Sequence, residues 1–322
     1  MRRARIKLAG EGFYHVMSRI VRREFWIDDE EKRHLLDAIR RAAAFSGVEL
    51  YSYALMDNHF HLLVRVPAKQ DLDDNELHRR MTALYGQKRT DALFSVWSAW
   101  TQNGLSARAD AAKARLKARM HDLSHFCKTF KERYTQAYNR RHGNAGAGTI
   151  WGGRFQSVLL EGSSNVLMTV AAYIHLNPVR AGIVSSSAQS LWTGFGSACR
   201  GDSLARSGLV ALAERLFGPC SWEDAQKVFS NAIEGRICAM AARPPLPSES
   251  SSAFPAANPE QLKMVLQKRC LAFSRAGILG SSAFLGSHQG ILPPETRRVS
   301  PPTPVGLRAL GLASPFAVRQ SA

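Results

Sequence analysis

A chain of 322 residues with 45% hydrophobic content has the length for one large or two smaller domains around a buried core. Its 43 Lys and Arg against 26 Asp and Glu give a formal net charge of +17 and a pI of about 10.2, which favours a polyanionic partner, nucleic acid ahead of an anionic membrane. No run is long enough to span a bilayer, and five scattered cysteines without a CxxC pair argue against a structural zinc site and for a reducing, cytoplasmic setting.

The chain opens on Arg2, Arg3, Arg5 and Lys7, a basic arm that can lie along a phosphate backbone or stand in solvent. Phe13 to Arg19 reads as a first strand. After Asp28 and Asp29, which can cap a helix, Leu35, Leu36, Ile39, Ala42 and Ala43 recur at helical spacing as far as Gly47. The stretch VELYSYALMDNHFHLLVRVP, from Val48 to Pro67, then sets two apolar, β-branched and aromatic runs around an Asp57-Asn58 corner, the composition of a tight hairpin. Strand alternation puts His59, His61, Leu63 and Arg65 on one face and Phe60, Leu62, Val64 and Val66 on the other. Two same-face imidazoles at this spacing suit a divalent cation and need a third ligand; a structural or surface role for either is the alternative.

Lys69 to about Met120 is charged and helix-prone, and reads as an inserted helical arm. From Leu123, Phe126, Phe130, Tyr134 and Tyr138 form a core stripe on a helix whose other side carries Lys128 and Lys131. With Arg140 and Arg141 that side is a candidate phosphate track. The glycines between Gly143 and Gly153 lack the spacing of a phosphate-binding loop, so no nucleotide cofactor is expected. Phe155 to Glu161 reads as the last strand of a sheet. The helix after Ser163-Ser164 carries Tyr173 and ends at Asn177-Pro178, because the residue before proline is pushed out of the helical region. Two amphipathic helices, Leu204 to Phe217 and Trp222 to Ile233, follow. A Pro/Ser-rich linker comes next, then one more possible helix at Glu260 to Phe273 and a flexible basic tail.

Taken in order, YHVMSR, MDNHFHLLV, WGGRF and YIHLNPVRAG resemble the REP-associated tyrosine transposases, a branch of the HUH single-strand transposase superfamily, from about Phe13 to Val184. The resemblance implies an α+β fold, a ferredoxin-like antiparallel sheet with packed helices. Together with the chain's own patterning it divides the sequence into a domain at 1–185 with a helical insertion at about 69–122, a helical extension at 186–242, and a linker with a largely flexible tail at 243–322. In such an enzyme Tyr173 is the nucleophile, and His59, His61 and a polar residue one turn after the tyrosine, Asn177, hold Mg²⁺ or Mn²⁺; His175 is the substitute for Asn177. The activity implied is nicking and transfer of single-stranded or hairpin DNA through a 5′-phosphotyrosine, by a monomer or homodimer that acts in DNA transposition and recombination. Arg65, Arg154, Arg140, Arg141, Lys128, Lys131 and the arm residues Arg2, Arg3 and Arg5 are the candidate DNA contacts. The competing expectation is a structure-selective DNA- or RNA-binding protein that no longer cleaves.

Overall fold

The computed structural model describes residues 6–241 and 277–288. The arm residues Arg2, Arg3 and Arg5, and the helix expected at Glu260 to Phe273, lie outside the described residues.

The first strand, β1 (Gly12–Arg19), leads through a short 3₁₀ turn (Val21–Arg23) to helix α1 (Asp29–Ser46). Asp28 caps α1 by accepting from the Glu31 amide at 2.8 Å, and Gly47 closes it in the left-handed region at φ 66°. A side chain at Gly47 would collide with Arg80 and His121, so the position needs glycine for both space and backbone. Strands β2 (Glu49–Met56) and β3 (His59–Val66) form the hairpin expected from the sequence, with Asp57 and Asn58 as its turn.

The inserted arm consists of α2 (Asp74–Tyr85), α3 (Gln87–Gln102) and α4 (Ser106–Lys117). It has a core of its own, in which Leu77, Met81, Leu84, Trp97 and Ala109 gather around Phe45 of α1. Helix α5 (Leu123–Arg141) returns the chain to the main body, and β4 (Gln156–Leu160) completes the antiparallel part of the sheet. The chain continues into α6 (Ser164–His175), α7 (Asn177–Arg180), α8 (Gly194–Cys199), α9 (Ser203–Phe217) and α10 (Trp222–Ala241). Its last described part holds β5 (Ile278–Leu279) and α11 (Ser282–Ser287).

The sheet order is β2-β3-β1-β4-β5, and its first four strands, with α1 and α5 as the crossovers, reproduce the ferredoxin-like arrangement in an α+β fold. Phe60 of β3 meets Phe130 of α5 edge-on at 5.5 Å, so α5 covers the greasy face. Helix α6 covers the opposite face, the one that carries the histidines.

Two expectations are corrected. β4 is not the last strand, because β5 pairs with it in parallel at Leu159 and Leu160, and Ser281 holds Glu161 through its amide and hydroxyl. Residues 277–288 of the stretch read as linker and flexible tail are therefore part of the fold. The helix carrying Tyr173 also ends earlier than expected: α6 stops at His175 and a separate turn begins at Asn177, with Pro178 in its first positions, where a missing N–H costs nothing. Among the described residues, no helix is long and apolar enough to cross a membrane.

Candidate active site

The site is assembled by strand register. Antiparallel pairing sets Arg19 opposite His59 and Met17 opposite His61, so His15, Met17 and Arg19 of β1 share a face with His59 and His61 of β3. On that face the His15 and His61 rings stack at 5.1 Å, with His15 Nε2 2.9 Å from His61 Nδ1. The His59 ring stands edge-on to His61 at 5.1 Å, and its Nδ1 donates to Asn58 Oδ1 at 2.6 Å. Both hairpin imidazoles are thus engaged at Nδ1; His59 donates there, which leaves its Nε2 able to accept or ligate, and His61 has the same capacity in the tautomer that donates to His15.

Tyr173 comes down from α6 onto this group. Its ring is edge-on to His61 at 5.8 Å and to His15 at 5.9 Å, and it is only 4% exposed. Arg180 of α7 covers the same ring, with its guanidinium carbon 5.2 Å from the centroid. Burial first, then electrostatic opposition from His15, His59, Arg19 and Arg180 to a second proton, hold the His61 imidazole well below its ordinary range and therefore neutral. Neutral imidazole is the form that binds a metal ion.

Asn177 is fixed at the end of α6, where its amide nitrogen donates to the carbonyls of Tyr173 at 2.9 Å and Ile174 at 3.3 Å. Its amide oxygen is the atom with which it could ligate. His175 points elsewhere: it bonds Ser52 Oγ at 3.1 Å and receives the Phe195 amide at 3.4 Å, and burial pushes its pKa down to about 3. It is a core histidine of the α6 packing, which removes it as the substitute for Asn177. Among the described residues, no group of three or more His, Cys, Asp or Glu is arranged to hold a metal ion.

The expected DNA contacts divide by direction. Lys128, Lys131, Arg140 and Arg154 line an open cavity of about 850 Å³ between α5 and the glycine-rich loop. Two others are held by carboxylates, and Lys131 is itself anchored in the cavity wall. Arg65 is clamped by Glu11 and Glu49 at 2.6 Å each, which holds its guanidinium firmly charged. Arg141 makes a two-pronged pair with the buried Glu31. Lys131 is buried, donates to Ser18 Oγ at 2.7 Å and to the Gly153 carbonyl at 3.1 Å, and lies over the Trp151 ring. Arg65 and Arg141 are thus neutralised within the fold, where phosphate contacts were expected, while Lys131 stays at the cavity wall with a neutral set of partners.

Three site residues escaped the sequence reading: His15, Arg19 and Arg180. The first two sit in YHVMSR and the third in YIHLNPVRAG, and β1 alternation already places His15 and Arg19 on one face. The missing information was which strand β1 pairs with.

Residues 11–99 match the family described as "Transposase IS200 like". The resemblance to tyrosine transposases drawn from the motifs is borne out over that part of the chain. A solved structure of a REP-associated tyrosine transposase bound to a REP hairpin is similar at 15% identity and a TM-score of 0.41, covering 62% of this chain and 87% of the other. No curated protein matches the chain.

Proposed function

We propose, for a chain whose residues 11–99 match the IS200-like transposase family, that this protein is a tyrosine transposase that cleaves and rejoins single-stranded or hairpin DNA through a 5′-phosphotyrosine. One observation carries the reading: the Tyr173 phenol is packed against His15 and His61, the latter edge-on to His59, on the face of the sheet that α6 covers. A tyrosine serving only as core would not need two imidazoles and a guanidinium against its ring.

In the reaction, the Tyr173 phenolic oxygen attacks a backbone phosphorus, the new O–P bond forms as the bond to O3′ breaks, and the proton given up by the phenol is balanced by the one taken up at the 3′-hydroxyl. Attack by a 3′-hydroxyl on the phosphotyrosine reverses these changes and frees Tyr173. His59 and His61, each through Nε2, would hold a Mg²⁺ or Mn²⁺ ion, with the Asn177 amide oxygen as a third donor. What supports this donor pair is that His59 donates through Nδ1, leaving Nε2 open, and that burial keeps His61 neutral. When bound, such an ion supplies charge stabilisation at a non-bridging phosphate oxygen. Arg180 and Arg19 add fixed positive charge to the place where the phosphate must sit.

The test is a covalent-adduct gel with a 5′-phosphate-traceable hairpin oligonucleotide and Mg²⁺ or Mn²⁺. The parent protein is expected to give a shifted band that maps to Tyr173, and Tyr173→Phe to give none while remaining folded. An adduct at another tyrosine, or unimpaired cleavage by Tyr173→Phe, overturns the mechanism.

A further inference from the structure

A second pocket, of about 420 Å³, opens beside the candidate active site and is lined by Arg19, Arg22, Arg23 and Arg154 together with Gly152 and Gly153. Arg22, Arg23 and Arg154 are exposed and bring three like charges to one small pocket, an arrangement that an anion in that space would relieve. Arg22, Arg23 and Arg154 form no ion pair among the described residues, whereas Arg65 and Arg141 are each neutralised by a carboxylate.

The backbone at this pocket is strained. Arg22 and Arg23 both lie in the left-handed region, at φ 54° and 65°, which costs a non-glycine residue about 1 kcal/mol or more each. The loop is held there by the Ile20 amide on the Asn58 carbonyl, the Val21 amide on the Ile150 carbonyl, and the Asn58 carboxamide on the Arg23 carbonyl at 3.0 Å. The same Asn58 side chain accepts from His59 Nδ1. One side chain thus ties the arginine loop to a candidate metal ligand, and Arg19 faces His59 directly in the strand register. Two residues past Arg23, Phe25 stands 77% exposed, a bare ring next to a cationic pocket.

We propose that this pocket binds consecutive phosphates of an unpaired DNA strand next to the cleaved linkage, with Phe25 stacking one of its bases. The inference deepens the proposed function and rests on it, because Arg19, which lines the pocket, faces His59 across the strand register. Fixed guanidinium groups suit phosphate oxygens, and an exposed ring takes a base face only where the base is unpaired. Arg154 also lines the larger cavity along α5, so the strand leaves the pocket towards Lys128 and Arg140.

The experiment measures binding of a fluorescent oligo-dT 20-mer to the full chain by anisotropy, in EDTA and over a range of salt concentrations. Binding is read without cleavage, so a failure of the catalytic reading leaves this test intact. Asparagine tolerates the left-handed region, so Arg22→Asn with Arg23→Asn should keep the loop while reducing the salt slope by about 1.4 in log–log units, two single-strand phosphate contacts. Arg154→Gln, at the end of the glycine-rich loop and free of the left-handed backbone, should reduce it by about 0.7. Arg22→Lys with Arg23→Lys should retain most of the parent slope. Phe25→Ala should weaken oligo-dT binding about tenfold and leave duplex binding unchanged. Parent slopes in both the asparagine pair and Arg154→Gln would overturn the phosphate pocket. Equal loss on duplex and single strand with Phe25→Ala would overturn the stacking role, and tighter binding of oligo-rU than oligo-dT would reassign the site to RNA and overturn the DNA claim.

Discussion

His59→Ala and His61→Ala are each expected to lower metal-dependent cleavage about a hundredfold or more while retaining DNA affinity, because they remove electrostatic support at the phosphate and not the distributed cationic contacts. Cleavage and anisotropy on the same preparations check this; full cleavage by either variant with Mg²⁺ or Mn²⁺ would remove the hairpin pair from the site. At this scale the sequence was informative where local geometry alone decides direction. The period of two put His59 and His61 on one face before any fold was known, and the hairpin turn fell at Asp57 and Asn58 as read. His15 was illegible because its meaning lies in the pairing of β1 with β3, a contact 46 residues away in sequence. Arg65 was misjudged for the same reason: the carboxylates that neutralise it, Glu11 and Glu49, come from other parts of the chain.

Among the elements, α1 and α5 are locked by one buried acid. Glu31 accepts from Arg141 at 2.9 and 2.6 Å, from the Tyr134 hydroxyl at 2.9 Å and pairs with His142 at 3.1 Å. Burial alone would raise its pKa, but the bonds from Arg141, Tyr134 and His142 outweigh that and hold it below the ordinary carboxylate value. A depressed folded-state pKa means the stabilisation is fully present above the unfolded value, near 4.5, and is lost as pH falls through the folded one. Arg141→Met is therefore expected to cost about 2 kcal/mol at pH 7, the worth of a charged hydrogen-bonded pair with one partly exposed member. Urea melts at pH 7 and below pH 4 check it: the gap between parent and variant should narrow in acid, and a gap independent of pH would mean the loss is packing of the Arg141 stem. The amphipathic stripes that place α1 and α5 were plain in the sequence. The two-residue β5 was not, since so short a strand has no periodicity to read and exists only because β4 offers it an edge.

For the whole molecule, the +17 charge was legible from composition, but not its distribution. Folding spends part of the cationic surplus internally, on Glu11 and Glu49 around Arg65, on Glu31 against Arg141 and on Asp202 against Arg40. What remains outward along α5 and the glycine-rich loop includes Lys128, Arg140 and Arg154 around the 850 Å³ cavity. Affinity for a single strand should fall linearly with log salt, each lost phosphate contact flattening the slope by about 0.7. Lys128→Gln with Arg140→Gln is expected to flatten it by about 1.4. Arg65→Gln, which removes the same unit of formal charge from a group already held between two carboxylates, is expected to leave the slope where it was. Titrations of one oligonucleotide at several salt concentrations separate the two cases. If Arg65→Gln flattened the slope as much per charge as the α5 pair, binding would follow net charge alone and the track along α5 would have no privileged role; a difference between them places the strand on that face of the molecule.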